Sequence, residues 1–278
     1  VIADVNNDMN ISLDSIKENI TSKTKAIIPV HFAGKMCDIK NIKKIAKTNN
    51  LFLIEDCAHA IGAKFENKHA GTFGDAGCFS FYPTKNITTI EGGMVICNSK
   101  NTAQGIQSFR NHGISRTLKQ RFSAGKPWDY DEIEPGYNFR LDEIRASLGI
   151  SQLKKISKLN NMRRKACEYY TSKLKKIKGI ESPEISKSTD NAFHLYIIKI
   201  KKDYGISRDK LFLKLLDSGI RTSVHYKPLH DFTIFKKMAK IKRGLNNSTT
   251  LYNEILSLPL YPTITQQEQD YVIHNLKN

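Results

Sequence analysis

The chain has no apolar run near the roughly 20 residues that cross a bilayer and no charged-then-apolar leader of the secretory type. The expectation is therefore a soluble, cytoplasmic protein. Cysteine is scarce. The five residues Cys37, Cys57, Cys78, Cys97 and Cys167 form an odd set without a CxxC pair, which speaks against both a disulfide framework and a zinc site. Acidic residues are few for the length: 27 Asp and Glu face 44 Lys and Arg in 278 residues, leaving a net charge of +17. Such a surplus attracts anions, but the lysines are spread through nearly every segment and no recognised nucleic-acid module accompanies them. In the densest basic region, 154–178, Ile156, Leu159 and Met162 interleave at helical spacing, as on a solvated helix face. Neither nucleic acid nor a membrane is expected as a partner, whereas a small anionic substrate suits the charge. Internal repeats and low-complexity tracts are also lacking.

What is present is an alternation of strand and helix in the first half. Leu13, Ile16 and Ile20 mark a helical stripe, and Ala26–Phe32 reads as a buried strand. Asp38 is placed to cap a helix with Ile39, Ile42 and Ala46 inward. Leu51–Ile54, Cys78–Phe81 and Met94–Cys97 read as further strands, and the rhythm predicts a largely parallel sheet covered by helices. Residues 115–137 are broken by Gly125, Pro127, Trp128, Pro135 and Gly136. A long helical pattern runs from Leu141 to about Ile177, mildly interrupted at Gly149, and Glu181–Asp190 reads as a polar connector. Beyond it a smaller α+β unit is expected, with a strand over Ala192–Ile200, a helix over Ser207–Ser218 closed by Gly219, a strand over Ile220–His225, and a last helix opened by the capping box Thr265-x-x-Glu268. The division predicted is a large domain over 1–178 and a small one over 179–278.

Two strands end in chemistry. Leu51–Ile54 stops at Glu55 and Asp56, and Cys78–Phe81 runs into Pro83, which cannot donate to a ladder and so turns Lys85 into a loop. Ligands of open parallel sheets bind beyond the carboxyl ends of the strands. A lysine there invites imine chemistry, although a free lysine, with a pKa of about 10.4, is protonated near neutrality. Pyridoxal 5′-phosphate (PLP) asks for a lysine to form the imine, a carboxylate to keep its pyridine nitrogen protonated, and donors for its phosphate. Lys85, Asp56 and Ser80 offer these three, and His59, a turn beyond Asp56, is placed to lie flat on the ring. Each has a plainer reading: a surface lysine, a helix cap, a strand serine and a buried structural histidine.

Taken together the motifs resemble one family. Glu55-Asp56-Cys57-Ala58-His59-Ala60, Gly74–Asn86 with its Phe81-Tyr82-Pro83-Thr84-Lys85 core, and Glu91-Gly92-Gly93-Met94-Val95 are similar to the DegT/DnrJ/EryC1/StrS aminotransferases, PLP-dependent sugar aminotransferases of fold type I. Arg110–Gly113, Gly136–Arg140, Gly219–Tyr226 and Leu258–Pro262 extend the likeness over essentially the whole chain. The resemblance implies an α/β fold with a mainly parallel large-domain sheet and a small C-terminal α+β domain. It implies amino transfer from L-glutamate to a keto group of a nucleotide-linked deoxysugar. By the same likeness Lys85 holds PLP and shuttles the proton, Asp56 pairs with the pyridine nitrogen, His59 stacks on the ring and Ser80 binds the phosphate. Asn138 matches a position that reaches the cofactor of the neighbouring subunit, implying a homodimer with shared sites, and His225 matches a motif beside the sugar cleft. Some relatives carry histidine in place of the lysine and dehydrate sugars, so Lys85 favours transamination. The start at Val1 resembles a point inside the family's large domain, so the expectation is an N-terminally truncated chain with an open sheet edge and an incomplete cofactor cup. The rival readings are a sugar dehydratase, a non-catalytic relative and a basic nucleic-acid binder.

Overall fold

The computed structural model describes residues 1–185, 190–241 and 244–277. Helix α1 (Leu13–Asn19) leads into β1 (Ala26–Ile27), α2 (Ile39–Thr48) and β2 (Phe52–Asp56), and a small hairpin, β3 (Lys64–Phe65) and β4 (Lys68–His69), precedes β5 (Ala76–Ser80) and β6 (Gly93–Cys97). These strands form a sheet in the order β1-β2-β5-β6, with the hairpin apart. Asp38 caps α2 by accepting from the Asn41 amide, and the buried stripe is the expected one, Ile39, Ile42 and Ala46. Those side chains pack on Ile27, Leu53, Cys57 and Ala60 in one apolar cluster. The β1–α2–β2 unit is thus held by burial on all three of its elements, roughly 1.5–3 kcal/mol for each large aliphatic side chain removed from water.

Next come α3 (Lys100–Phe109), the short α4 (Leu118–Ser123), α5 (Glu143–Leu153) and α6 (Ile156–Leu174). The second unit contains β7 (Ile180–Glu181), β8 (Tyr196–Ile200), α7 (Arg208–Asp217), α8 (Thr233–Met238), α9 (Asn246–Glu254), β9 (Ile255–Leu258) and α10 (Gln266–Lys277). Its antiparallel sheet runs β7-β8-β9. Both β8 and β9 are buried throughout, covered by Leu211 and Leu215 of α7, Val272, Ile273 and Leu276 of α10, and Cys167, Tyr170 and Leu174 of α6. Among the described residues no helix is long and apolar enough to cross a membrane.

Several expectations shift. The strand read over Ala26–Phe32 is regular only at Ala26–Ile27; Pro29 interrupts it, and pairing resumes at a single bridge between Val30 and Asp56. Strand β6 lies antiparallel to β5, because the Phe81–Gly92 connection contains no crossover helix to return the chain to the starting edge. The helical pattern from Leu141 to Ile177 is two helices, parted between Leu153 and Ile156. Ile220–His225 forms no strand beyond one bridge, Ser223 to Ser257, since the segment then leaves the sheet to bring Tyr226 to His59. The Thr265 capping box is present, with Glu268 accepting from the Thr265 amide and Thr265 Oγ1 from the Glu268 amide. Residues 186–189 of the polar connector lie outside the described residues.

Candidate active site

Strands β2 and β5 are parallel and in register, Asp56 beside Cys78, so their carboxyl ends open on the same edge of the sheet. The two carboxylates that end β2 point to different fates, as alternation along a strand requires. Glu55 is fully buried. Its Oε2 accepts from His31 Nε2 at 3.0 Å and the Gly71 amide at 2.9 Å, and its Oε1 from the Phe73 and Gly74 amides at 2.7 Å. Burial alone would raise its pKa, but the bonds from His31, Gly74 and Gly71 outweigh that and hold it below the ordinary carboxylate value. His31 Nδ1 accepts from the Cys37 amide, so the proton is on Nε2. Glu55 therefore holds the turn before β5. His31, Glu55 and Cys57 offer ligand atoms within 4.8 Å of one another, but with both carboxylate oxygens doubly bonded the cluster is satisfied without an ion.

Asp56 faces the site. Its Oδ1 accepts from the Ala58 amide at 2.9 Å, which tightens the turn leading to His59. The lysine loop begins with Tyr82 N–H reaching Ser80 Oγ at 3.4 Å and the Lys85 amide bonded to the Tyr82 carbonyl at 3.0 Å. Burial lowers the Lys85 pKa, while the attraction of Asp56 works the other way. His59 is 6% exposed. Its ring lies 4.3 Å from that of His194 and near those of Phe32 and Tyr226, and its Nε2 meets Tyr226 Oη at 3.3 Å. Burial, then the charge of Lys85, then His225 push its pKa down to about 3, so the ring is neutral at physiological pH. His59 Nδ1 is buried with no hydrogen-bond partner.

His225 Nδ1 lies 2.8 Å from Ser257 Oγ, and its pKa is lowered by burial and by Lys85. Asp56, His59, His225 and Tyr226 line one end of a cleft of about 950 Å³ that continues over Ala26–Ile28 to Lys227 and Phe232. Asp56, His59 and His225 thus share the cleft. Lys85 and Ser80 are not among its lining residues, but Lys85 is near enough for its charge to act on His59 and His225 and to feel that of Asp56, and Ser80 stands at the root of the lysine loop. Asn138 is not part of this group: it is exposed, paired with Asn111, and its Oδ1 accepts from Arg140 Nε at 2.8 Å.

Three contributors escaped the sequence reading. Tyr226 sits beside the predicted His225 and was within reach of it. His194 and Asn86 meet across 108 positions, with His194 Nδ1 2.9 Å from Asn86 Oδ1, and no local spacing announces such a pair. Burial, then the adjoining His59 ring and the charge of Lys85, take the His194 pKa down to about 2.

A model of the DegT/DnrJ/EryC1/StrS aminotransferase family matches residues 1–277. The chain is 34% identical over 282 residues to the spore coat polysaccharide biosynthesis protein SpsC of Bacillus subtilis, covering 100% of this chain and 72% of that one. It is 34% identical over 272 residues to the UDP-4-amino-4,6-dideoxy-N-acetyl-beta-L-altrosamine transaminase of Campylobacter jejuni, covering 97% and 70%. Among solved structures, the aminotransferase PseC of Helicobacter pylori superposes with a TM-score of 0.91 at 29% identity, over 99% of this chain and 72% of that one. The GDP-4-keto-6-deoxy-D-mannose-3-dehydratase of E. coli, with bound hydrated PLP, superposes with a TM-score of 0.88 at 29% identity, over 99% and 73%.

Proposed function

This chain belongs to the DegT/DnrJ/EryC1/StrS aminotransferase family, whose cofactor is PLP, and on that premise we propose that it moves an amino group from L-glutamate to a keto group of a nucleotide-linked deoxysugar. The observation that carries the proposal is the arrangement at one sheet edge: Asp56 ends β2 beside Cys78 of parallel β5, the Lys85 loop follows the end of β5 at Ser80, and the buried His59 ring follows Asp56 by one turn. That trio fits the cofactor. Lys85 would hold its aldehyde carbon, Asp56 its pyridine nitrogen, His59 the face of its ring and Ser80 its phosphate. Bound PLP supplies an electron sink for the charge that develops at a substrate carbon.

The rest is done by the chain. Lys85 Nζ, its pKa lowered by burial, is the group that takes and returns the proton. Neutral His59 packs without competing with the pyridinium for the Asp56 charge. His225, at the cleft wall, contacts the sugar, and the net positive charge favours a diphosphate-bearing substrate. The reading includes a homodimer in which Asn138 of the partner subunit reaches the cofactor phosphate. Exposed Phe109, Trp128, Phe139 and Ile144 support it as apolar surface in want of cover. It also includes a division near residue 178, supported by the two separate main sheets, β1-β2-β5-β6 before it and β7-β8-β9 after it, and a cytoplasmic setting, supported by five free thiols.

The test supplies the protein with PLP, L-glutamate and a UDP-linked 4-keto-6-deoxy-N-acetylhexosamine, and analyses products by mass spectrometry. Transamination predicts equal amounts of 2-oxoglutarate and amino sugar. A keto sugar lacking one hydroxyl, with glutamate consumed in no such ratio, would move the chain to the dehydratases, the reaction named for the E. coli relative.

A further inference from the structure

The turn that carries His59 and the loop that carries Lys85 are not bonded to each other directly; one side chain from a distant helix joins them. Asn160, in the second turn of α6, donates from Nδ2 to the Ile61 carbonyl at 3.0 Å, two residues past His59. Its Oδ1 accepts from Asn86 Nδ2 at 2.8 Å, one residue past Lys85. The direction of each bond is fixed by chemistry. A carbonyl only accepts, so Nδ2 of Asn160 must face Ile61, which leaves Oδ1 for Asn86. Asn86 Nδ2 also donates to the Ala192 carbonyl at 2.6 Å, so its Oδ1 takes the proton of His194 Nδ1, the histidine whose ring lies against His59. The circuit closes on itself: His59, His194, Asn86, Asn160, and back through Ile61.

Two further observations say that this contact is built rather than incidental. Asparagine is a poor helix former away from a cap, yet it occupies this inward position of α6. Gly62 has φ +87°, and a Cβ there would fall 2.6 Å from Asn160 Nδ2, so only glycine lets the amide approach the Ile61 carbonyl. One turn along the same helix, Arg163 Nη1 donates to the carbonyls of His194 and Leu260, holding the other half of the circuit from the same face.

We propose that Asn160 is a positioning residue: its amide straps the His59 turn to the Lys85 loop and fixes the separation of the two groups that flank the cofactor. The inference rests on Lys85 as the cofactor-binding amine, but its test needs no cofactor. In the apo protein, competitive labelling with acetic anhydride, read by peptide mass spectrometry, gives the reactivity of Lys85 relative to exposed Lys17. Asn160→Ala is expected to lower that ratio about fivefold near neutral pH, the scale of one lost buried hydrogen bond, because a loosened and better-hydrated Lys85 loses the burial that holds its pKa down. Asn160→Asp keeps the acceptor for Asn86 but turns a carboxylate oxygen toward the Ile61 carbonyl, breaking the strap while filling the same volume, and serves if the cavity left by alanine prevents folding. Asn86→Ala removes the same strap together with the bonds to Ala192 and His194, so it should shift the ratio in the same direction at least as far, and the double variant should go no further than Asn86→Ala alone. Asn161→Ala, one position on and exposed, should leave the ratio unchanged. Lys85 reactivity equal to the parent's in Asn160→Asp and Asn86→Ala, whatever happens to thermal stability, would reduce Asn160 to a packing residue. Failure of Lys85 to form a borohydride-stable adduct with PLP would instead remove the assignment on which the strap depends, so the two failures are told apart.

Discussion

Adjacent carboxylates at the end of β2 do opposite jobs, and single substitutions separate them. Glu55 is a buried anchor with four hydrogen bonds. In Glu55→Gln an NH2 group meets donors that cannot accept, and the expected cost is about 2–6 kcal/mol, about 1–3 for each of the two buried donors left unsatisfied. Urea unfolding of the two proteins checks it. Asp56→Asn has the reverse profile: unfolding of the apo protein within about 0.5 kcal/mol of the parent, and turnover lower by on the order of 10²-fold, as for loss of one preorganised electrostatic partner. Parental turnover in Asp56→Asn would leave that residue with a structural role alone. Both acids were visible in the sequence as the stop of an apolar run. The sequence reading assigned Asp56 to the cofactor; the anchoring role of Glu55 was hidden, because its partners His31, Gly71, Phe73 and Gly74 lie 16 to 24 positions away.

At the scale of elements, what was legible had local causes. Asp38 and Thr265 cap where expected, the runs Leu51–Ile54 and Cys78–Phe81 fall on strands that end at Asp56 and Ser80, and Pro83 turns the lysine loop out of the sheet. The antiparallel β6 and the lone Ser223–Ser257 bridge were hidden, since both depend on what neighbouring segments do. The circuit through Asn86, Asn160 and His194 was hidden for the same reason: its partners lie 74 to 108 positions apart. The meeting of the His59 turn with the segment before β8 carries a pH signature. Unfolded histidines bind protons near pH 6.5, whereas His59 and His194 in the folded chain do so only near about 3 and about 2. The unfolded state therefore holds more protons between those limits, and these two groups withdraw stability as pH falls below about 6.5. Urea midpoints between about pH 7 and about pH 5 should decline less steeply in His194→Gln than in the parent; parallel curves would mean the ring is not kept neutral by the fold.

For the whole molecule, the proposed shared site makes a complementation experiment decisive. Lys85→Ala and Asn138→Ala chains are each impaired in both sites of a homodimer, but a mixed dimer has one site with both residues intact. Random exchange of subunits should return roughly a quarter of parental activity at limiting PLP. Activity that stays at the level of the two variants measured apart would mean that Asn138 acts within its own chain or not at all. The proposed function turns on a single covalent attachment, and that attachment can be seen directly. The protein is incubated with PLP, reduced with borohydride, digested, and searched by mass spectrometry for pyridoxyl-lysine. The account predicts the adduct on Lys85 and its loss in Lys85→Ala. A folded protein with no adduct, or with one on another lysine, would contradict it.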